Sequence, residues 1–336
     1  MSLNTLEEIA SYIVSDGKGI LAADESNPTC TKRFDTIGVE STEESRRDYR
    51  EMLFRSGGIQ GNIGGVILFD ETIRQNAKDG TSLVDLMNSQ GALPGIKVDK
   101  GLQPIGDSDE TVTVGLDGLD ERLKEYSLLG AKFTKWRAVI KIGNNLPTDN
   151  CIDANMKALA DYAKVVQDNG MVPMVEPEVL MEGDHSIEEC FTATERSLKS
   201  LFHHLKENGV NIKGTILKPN MVTSGSTCSN QASINEVAEQ TLECLKANVP
   251  SELSAITFLS GGQSELLATA HLDAMNKIGG FDWKLSFSFG RALQAPTLKA
   301  WMGKPENVFI AQDALSHRAK MNQLAALGQW DKGLED

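Results

Sequence analysis

The segment Thr215–Asn220, T-I-L-K-P-N, sets a lysine at the end of a short apolar run, and Pro219 directly after it ends that run and fixes the backbone. A lysine amine attacks carbonyls and forms a Schiff base when burial or a neighbouring cation lowers its pKa. Lys135 and Arg137 in F-T-K-W-R are candidate neighbours for Lys218. A lone lysine at a strand end more often snorkels to water, so Lys218 gains weight only if other groups converge on it. Spacing points that way. Lys97 and Asp99, Lys135 and Arg137, and Glu176 and Glu178 are each two residues apart, which puts each pair on one face of a strand. One such pair is an ordinary solvated edge. The same spacing on three segments points to a shared interior mouth, where charges are costly unless paired or used. The two carboxylates of V-E-P-E then either shuttle protons or hold the lysines apart as salt bridges.

A second group of residues suits an anion. Ser260-Gly261-Gly262 follows one apolar run, and Ser288, Gly290 and Arg291 follow another. Glycines let backbone N–H groups approach an anion closely, and an arginine adds a two-pronged donor. A plain turn is the alternative for Gly261-Gly262. Metal chemistry has no comparable signal. There is no H-E-x-x-H, the five histidines (His185, His203, His204, His271, His317) lack ligand spacing, and no G-x-x-x-x-G-K-[ST] occurs. No metal and no cofactor are expected. His203-His204 lies in a helical pattern, where neighbours face different ways, and is expected to take surface or core packing roles. Asp107–Glu110 is expected to be a solvated acidic loop.

These residues need elements to carry them. Eight short apolar runs recur, at 19–23, 64–69, 95–98, 133–142, 171–175, 214–217, 255–259 and 285–289. Between them lie amphipathic stretches at 41–55, 119–130, 149–170, 187–209, 233–248 and 263–277, several ending in Gly. Strands alternating with helices predict a parallel sheet, and eight units predict closure into a (β/α)8 TIM barrel. An open doubly wound sheet is the runner-up. In such barrels the active site lies at the C-terminal ends of the strands. Here those ends carry Asp24-Glu25-Ser26, Asp70-Glu71-Thr72, the three charged pairs, Lys218, Ser260-Gly261-Gly262, Ser288 and Arg291.

The 336 residues are expected to form one barrel domain over 1–336, with a short tail from about 320 to 336. Thirty-three Lys and Arg against 47 Asp and Glu leave a net charge of −14, which argues against nucleic acid or an anionic membrane as partner. An anionic substrate must therefore be held by a local cationic cluster. The five cysteines are scattered and form no C-x-x-C pair, which predicts reduced thiols. The N-terminal stretch lacks a basic region followed by an apolar one, and no apolar run approaches the ~20 residues of a membrane helix. A soluble, cytoplasmic protein is expected.

At this point the strand ends resemble those of the class I fructose-bisphosphate aldolases, from about residue 5 to 330. The resemblance rests on G-K-G-I-L-A-A-D-E-S, G-G-V-I-L-F, G-I-K-V-D-K-G, G-L-D-G-L, A-K-F-x-K-W-R, V-E-P-E, G-T-I-L-K-P-N-M-V-T, T-F-L-S-G-G-Q-S-E and G-R-A-L-Q-A. It implies reversible cleavage of fructose 1,6-bisphosphate into dihydroxyacetone phosphate and glyceraldehyde 3-phosphate. Fructose 1-phosphate or sedoheptulose 1,7-bisphosphate are alternative substrates, and a non-catalytic scaffold barrel is a remote one. By the resemblance, Lys218 is the Schiff-base lysine and Glu176 the general acid and base. Asp24 and Lys135 orient Lys218 and stabilise charge, and Glu178 supports them. Ser260, Gly261, Gly262, Ser288, Gly290 and Arg291 hold the C1 phosphate. Ser26, Thr29, Arg33 and Lys97 meet the far phosphate, and Arg137 is a substrate-side cation. Sugar phosphates are the implied ligands, and a homotetramer the implied assembly. Three departures stand out. The animal members carry a longer tail ending in tyrosine, whereas Gln329–Asp336 has none, so protonation of the enamine falls to Glu176, a water or the phosphate. Phe289 and Thr29 replace a common tyrosine and serine. Lys213 replaces an acidic residue. The last two departures are expected to shift substrate preference.

Overall fold

A computed structural model describes residues 3–335, so Met1, Ser2 and Asp336 lie outside the described residues. The strands are β1 (Gly19–Ala23), β2 (Ile63–Leu68), β3 (Leu93–Lys97), β4 (Leu102–Pro104), β5 (Thr111–Thr113), β6 (Phe133–Ile140), β7 (Val172–Val179), β8 (Ile216–Leu217), β9 (Ala255–Phe258) and β10 (Lys284–Phe289). Eight of them close a parallel barrel in the order β1-β10-β9-β8-β7-β6-β3-β2, and these are the eight apolar runs. Ile20 of β1 pairs with Ser288 of β10 on one side and Gly65 of β2 on the other. That closure overturns the open-sheet alternative. β4 and β5 form a small antiparallel hairpin between β3 and β6.

The six expected helices are present. Five of them start at a side-chain cap, Thr42, Thr148, Ser186, Ser233 and Ser264, each accepting from a backbone N–H one turn on. Four further long helices were not expected: Leu6–Ile13, Asn27–Asp35, Arg291–Trp301 and Val308–Ala326. In the last three the apolar signal is weak for identifiable reasons. Asn27–Asp35 buries only Cys30 and Phe34. Arg291–Trp301 carries Pro296 inside it. Val308–Ala326 buries mostly alanines and polar groups, among them Arg318 and Asn322, so no apolar stripe shows. Residues 320–326, expected in a tail, are the last turns of that helix. The acidic stretch also differs from expectation: Glu110 is buried and accepts from the N–H and hydroxyl of Thr148.

The barrel has its own apolar filling, separate from the sheet–helix core. Ile20, Ala22, Ile67, Phe133, Val172, Met174, Ile216 and Ala255 pack inside it with Ile9, Ala10, Ile13 and Val14. The helix Leu6–Ile13 thus closes the N-terminal end. Gly64 permits this closure, because a Cβ there would lie 2.0 Å from the Ile13 carbonyl oxygen. Gly64→Ala is therefore expected to cost about 1–3 kcal/mol or more as overpacking, read as a lower Tm in thermal unfolding. Along the inward face, the period of two then turns from apolar to ionisable. Ile20 and Ala22 lead to Asp24, Phe133 to Lys135 and Arg137, Val172 and Met174 to Glu176 and Glu178, and Ile216 to Lys218.

Candidate active site

Lys218 follows directly on the two-residue strand β8. Its N–H continues the pairing, donating to the Val175 carbonyl at 2.9 Å. Its side chain is 4% exposed and stands beneath a cavity of about 270 Å³ at the barrel's C-terminal mouth. A cavity near the small end of ligand pockets suits a compact metabolite. The Lys218 Nζ lies 3.0 Å from Oε1 of Glu176. Lys135 lies 3.1 Å from Oε2 of the same carboxylate and donates to Asp24 at 2.8 Å. The Lys135–Glu176 approach lacks hydrogen-bond geometry, so that oxygen keeps an open lone pair. The four groups Asp24, Lys135, Glu176 and Lys218 are all buried and sum to zero charge.

That balance sets their protonation. Burial alone raises the pKa of Asp24, but the charges of Lys135 and Lys218 outweigh it and hold the carboxyl well below the usual range. Glu176 is likewise pushed up by burial and then held below its ordinary value by Lys135, Lys218 and Arg137. Burial disfavours the charged form of Lys135, yet Asp24 and Glu176 carry its pKa well above the ordinary lysine value. Glu176 is therefore a carboxylate at rest, within proton-transfer distance of the Lys218 amine.

The flanks are cationic but already engaged. Lys97 sits opposite Lys135 in the β3–β6 register and pairs with Asp99. Arg137 is opposite Glu176 in the β6–β7 register and pairs with Glu178. Arg33 meets Glu25 at 2.6 Å, and Arg291 donates to the Gly261 carbonyl. Ser26 and Thr29 share a hydroxyl contact of 3.1 Å on the same rim. The Ser288 hydroxyl, 1% exposed on the cavity wall, has no partner. An orphaned hydroxyl beside Gly290 and Arg291 is an open donor for an anion. Gly261 has φ +56°, the left-handed region, and its loop turns back towards the mouth.

All the residues given a catalytic or substrate-binding role from sequence line the cavity except Gly262, which sits behind Gly261 against Met181. Glu25, named at the strand end but given no role, also lines it, gripping Arg33 and, at 2.7 Å, the buried Arg50. Strand alternation places Glu25 opposite Asp24. The strand stops at Ala23, however, and the turn into the helix Asn27–Asp35 brings both carboxylates to the mouth. Two substitutions expected to tune preference lie elsewhere. Phe289 points into the core against Phe287, and Lys213 lies in the turn before β8, at the barrel's other end near Leu6 and Glu7. Only Thr29 of the three touches the cavity. Asp70 and Glu71 are held by Arg74 and Arg46, away from the mouth. His204 bonds Asp153 at 2.8 Å on the surface. Among the described residues no cluster of three or more His, Cys, Asp or Glu is placed to hold a metal, and no helix is long and apolar enough to cross a membrane.

A closed (β/α)8 barrel with a buried lysine–carboxylate quartet under a cationic rim is a setting suited to carbonyl chemistry on a small anionic substrate. A sequence profile of the class-I fructose-bisphosphate aldolases matches residues 5–336. A probable fructose-bisphosphate aldolase class 1 of Xanthomonas axonopodis pv. citri is 53% identical over 332 residues, covering 98% of this chain and 99% of its own. The cytosolic fructose-bisphosphate aldolase 4 of Arabidopsis thaliana is 51% identical over 95% of this chain and 82% of its own. A solved fructose-bisphosphate aldolase of Plasmodium falciparum superposes with a TM-score of 0.96 at 47% identity, covering 98% of this chain and 95% of the other. The chain belongs to the class I fructose-bisphosphate aldolase family.

Proposed function

We propose that this aldolase cleaves fructose 1,6-bisphosphate reversibly through a Schiff base on Lys218, as a step of glycolysis and gluconeogenesis. The observation that carries the reading is the buried contact of Lys218 with Glu176, set under a rim that ends in the unpartnered Ser288 hydroxyl. Glu176 takes the proton of the Lys218 ammonium, and the free amine attacks the C2 carbonyl. Protonated Glu176 returns that proton to the carbinolamine hydroxyl, which leaves as water. The iminium accepts the electrons of the C3–C4 bond while Glu176 removes the C4 hydroxyl proton, so an aldehyde departs and an enamine stays on Lys218. Protonation at C3 and hydrolysis release dihydroxyacetone phosphate. Lys135 and Asp24 keep Lys218 oriented and neutralise developing charge, with Arg137 and Glu178 beside them.

Ser260, Gly261, Gly262, Ser288, Gly290 and Arg291 hold the C1 phosphate in this reading, and Ser26, Thr29, Arg33 and Lys97 meet the C6 phosphate. Holding both ends positions the scissile bond, which contributes to rate as well as affinity. Comparing kcat/KM for fructose 1,6-bisphosphate, fructose 1-phosphate and sedoheptulose 1,7-bisphosphate tests the substrate assignment; a preference for either alternative overturns it. Arg33→Ala is expected to raise KM for the bisphosphate by about tenfold or more, the size of a lost charge-assisted hydrogen bond. KM for fructose 1-phosphate should stay put. The same reading puts the protein in the cytoplasm, supported by its likeness to the cytosolic plant enzyme, and expects a homotetramer.

A further inference from the structure

His271 lies outside the cavity, on the helix Glu265–Ile278, and is 2% exposed. Its Nδ1 is 2.6 Å from Oε1 of Gln263, and its Nε2 has no partner. Gln263 is itself buried and closes the turn that contains Ser260 and Gly261. Its backbone N–H and its side-chain Nε2 both reach the Ser260 carbonyl, each at 3.1 Å. The same Nε2 also lies 3.6 Å from the Met221 sulfur, in the segment that follows Lys218. Because the amide nitrogen donates to Ser260, Oε1 is the acceptor, and His271 must present Nδ1–H. Burial holds the imidazole neutral, with its pKa down at about 4, and the contact with Oε1 sets which nitrogen carries the proton.

A side-chain amide can turn over, exchanging donor for acceptor. With nothing on Oε1, the Ser260 carbonyl alone holds the amide, and Gln263 is fixed at one end instead of two. With His271 in place, only one orientation satisfies both neighbours. We propose that His271 is a positioning residue: through Gln263 it sets the Ser260–Gly261 turn in the conformation that receives the phosphate next to Lys218. The inference rests on the assignment of that turn to the C1 phosphate. It adds a residue two helical turns away that touches neither substrate nor the reacting atoms.

The experiment compares His271→Ala, His271→Asn and Gln263→Leu in the full-length enzyme. His271→Ala should raise KM about fivefold, the worth of one buried hydrogen bond, with kcat within twofold. The factor should be the same for fructose 1,6-bisphosphate and fructose 1-phosphate, since both carry the C1 phosphate. The inhibition constant of inorganic phosphate should rise by that factor too. His271→Asn keeps an N–H donor and should recover most of the loss. Gln263→Leu should reproduce the effect, and adding His271→Ala to it should change nothing more. An unchanged KM and phosphate inhibition constant in His271→Ala would overturn the proposal. So would a loss of Tm and kcat without a change in KM, or additive effects in the double variant. Borohydride trapping of dihydroxyacetone phosphate on Lys218 separates the two levels. Trapping in wild type with no KM effect rejects the role of His271 alone, whereas no trapping in wild type rejects the Schiff-base reading beneath it.

Discussion

Lys218→Met is expected to lower the rate of bisphosphate cleavage by at least about 10⁴-fold, the scale on which removal of a covalent nucleophile acts. Methionine fills nearly the same space but supplies neither nucleophile nor iminium, so the electrons of the C3–C4 bond have nowhere to go. In wild type, dihydroxyacetone phosphate with borohydride should leave one covalent adduct, located on Lys218 by peptide mass mapping, and EDTA should not change turnover. The variant should show no adduct. The substitution leaves Asp24 and Glu176 facing Lys135 alone, and the buried quartet is no longer neutral. Glu176 is then expected to take up a proton rather than remain a buried, unpaired charge, which keeps the variant folded. Wild-type turnover in Lys218→Met would favour a scaffold role instead, and an adduct on a different lysine would move the chemistry elsewhere.

Glu176→Gln is the second large effect. It keeps the shape and one hydrogen-bond acceptor but removes the proton carrier proposed for three successive steps. Turnover should fall by about 10²–10⁴-fold, the range for general acid–base catalysis, with adduct formation slowed rather than abolished. The pH dependence has a definite sign. The pKa of Glu176 is lowered because the charges of Lys135 and Lys218 outweigh burial, so the free enzyme keeps its base as pH falls through the ordinary glutamate range. The acid limb of kcat/KM should therefore lie below that range. Lys135→Met removes one stabilising charge, lets the Glu176 pKa climb, and should move the acid limb upward. An acid limb that stays in place in Lys135→Met would detach that limb from Glu176. The same sign governs stability. Asp24 and Glu176 have depressed values in the folded state, so they stabilise it above the ordinary carboxylate range, and that contribution disappears as pH falls through the depressed values.

Much of this site was legible because parallel barrel strands impose a simple rule. Inward residues recur every second position, and the C-terminal end of every strand faces one mouth. Lys135 with Arg137 and Glu176 with Glu178 could be read as pairs on that rule, and the register sets them side by side. Glu25 stood at a strand end without a role, because alternation ends where the strand ends and could not say that it faces the mouth. The helices Asn27–Asp35 and Val308–Ala326 were hidden because they bury small or polar residues, so no apolar period marks them. Phe289 and Lys213 misled for the opposite reason. Nearness in the chain to a site residue says nothing about direction: one side chain leaves by the other face of its strand, and the other precedes the strand altogether.

By itself the sequence determined the class of fold, the strand ends that carry chemistry, and the chemical types gathered there. All of that follows from local periodicity and from side chains with restricted uses. Tertiary structure decided which charges neutralise which. Lys135 joins Asp24 and Glu176 from three different strand ends, and Arg50 reaches Glu25 from a separate helix. It also decided that Gln263 and His271 stand behind the Ser260–Gly261 turn. These are contacts between segments far apart in the chain. Their protonation and orientation depend on burial and on the net field of all the neighbours, quantities that exist only once the barrel has closed.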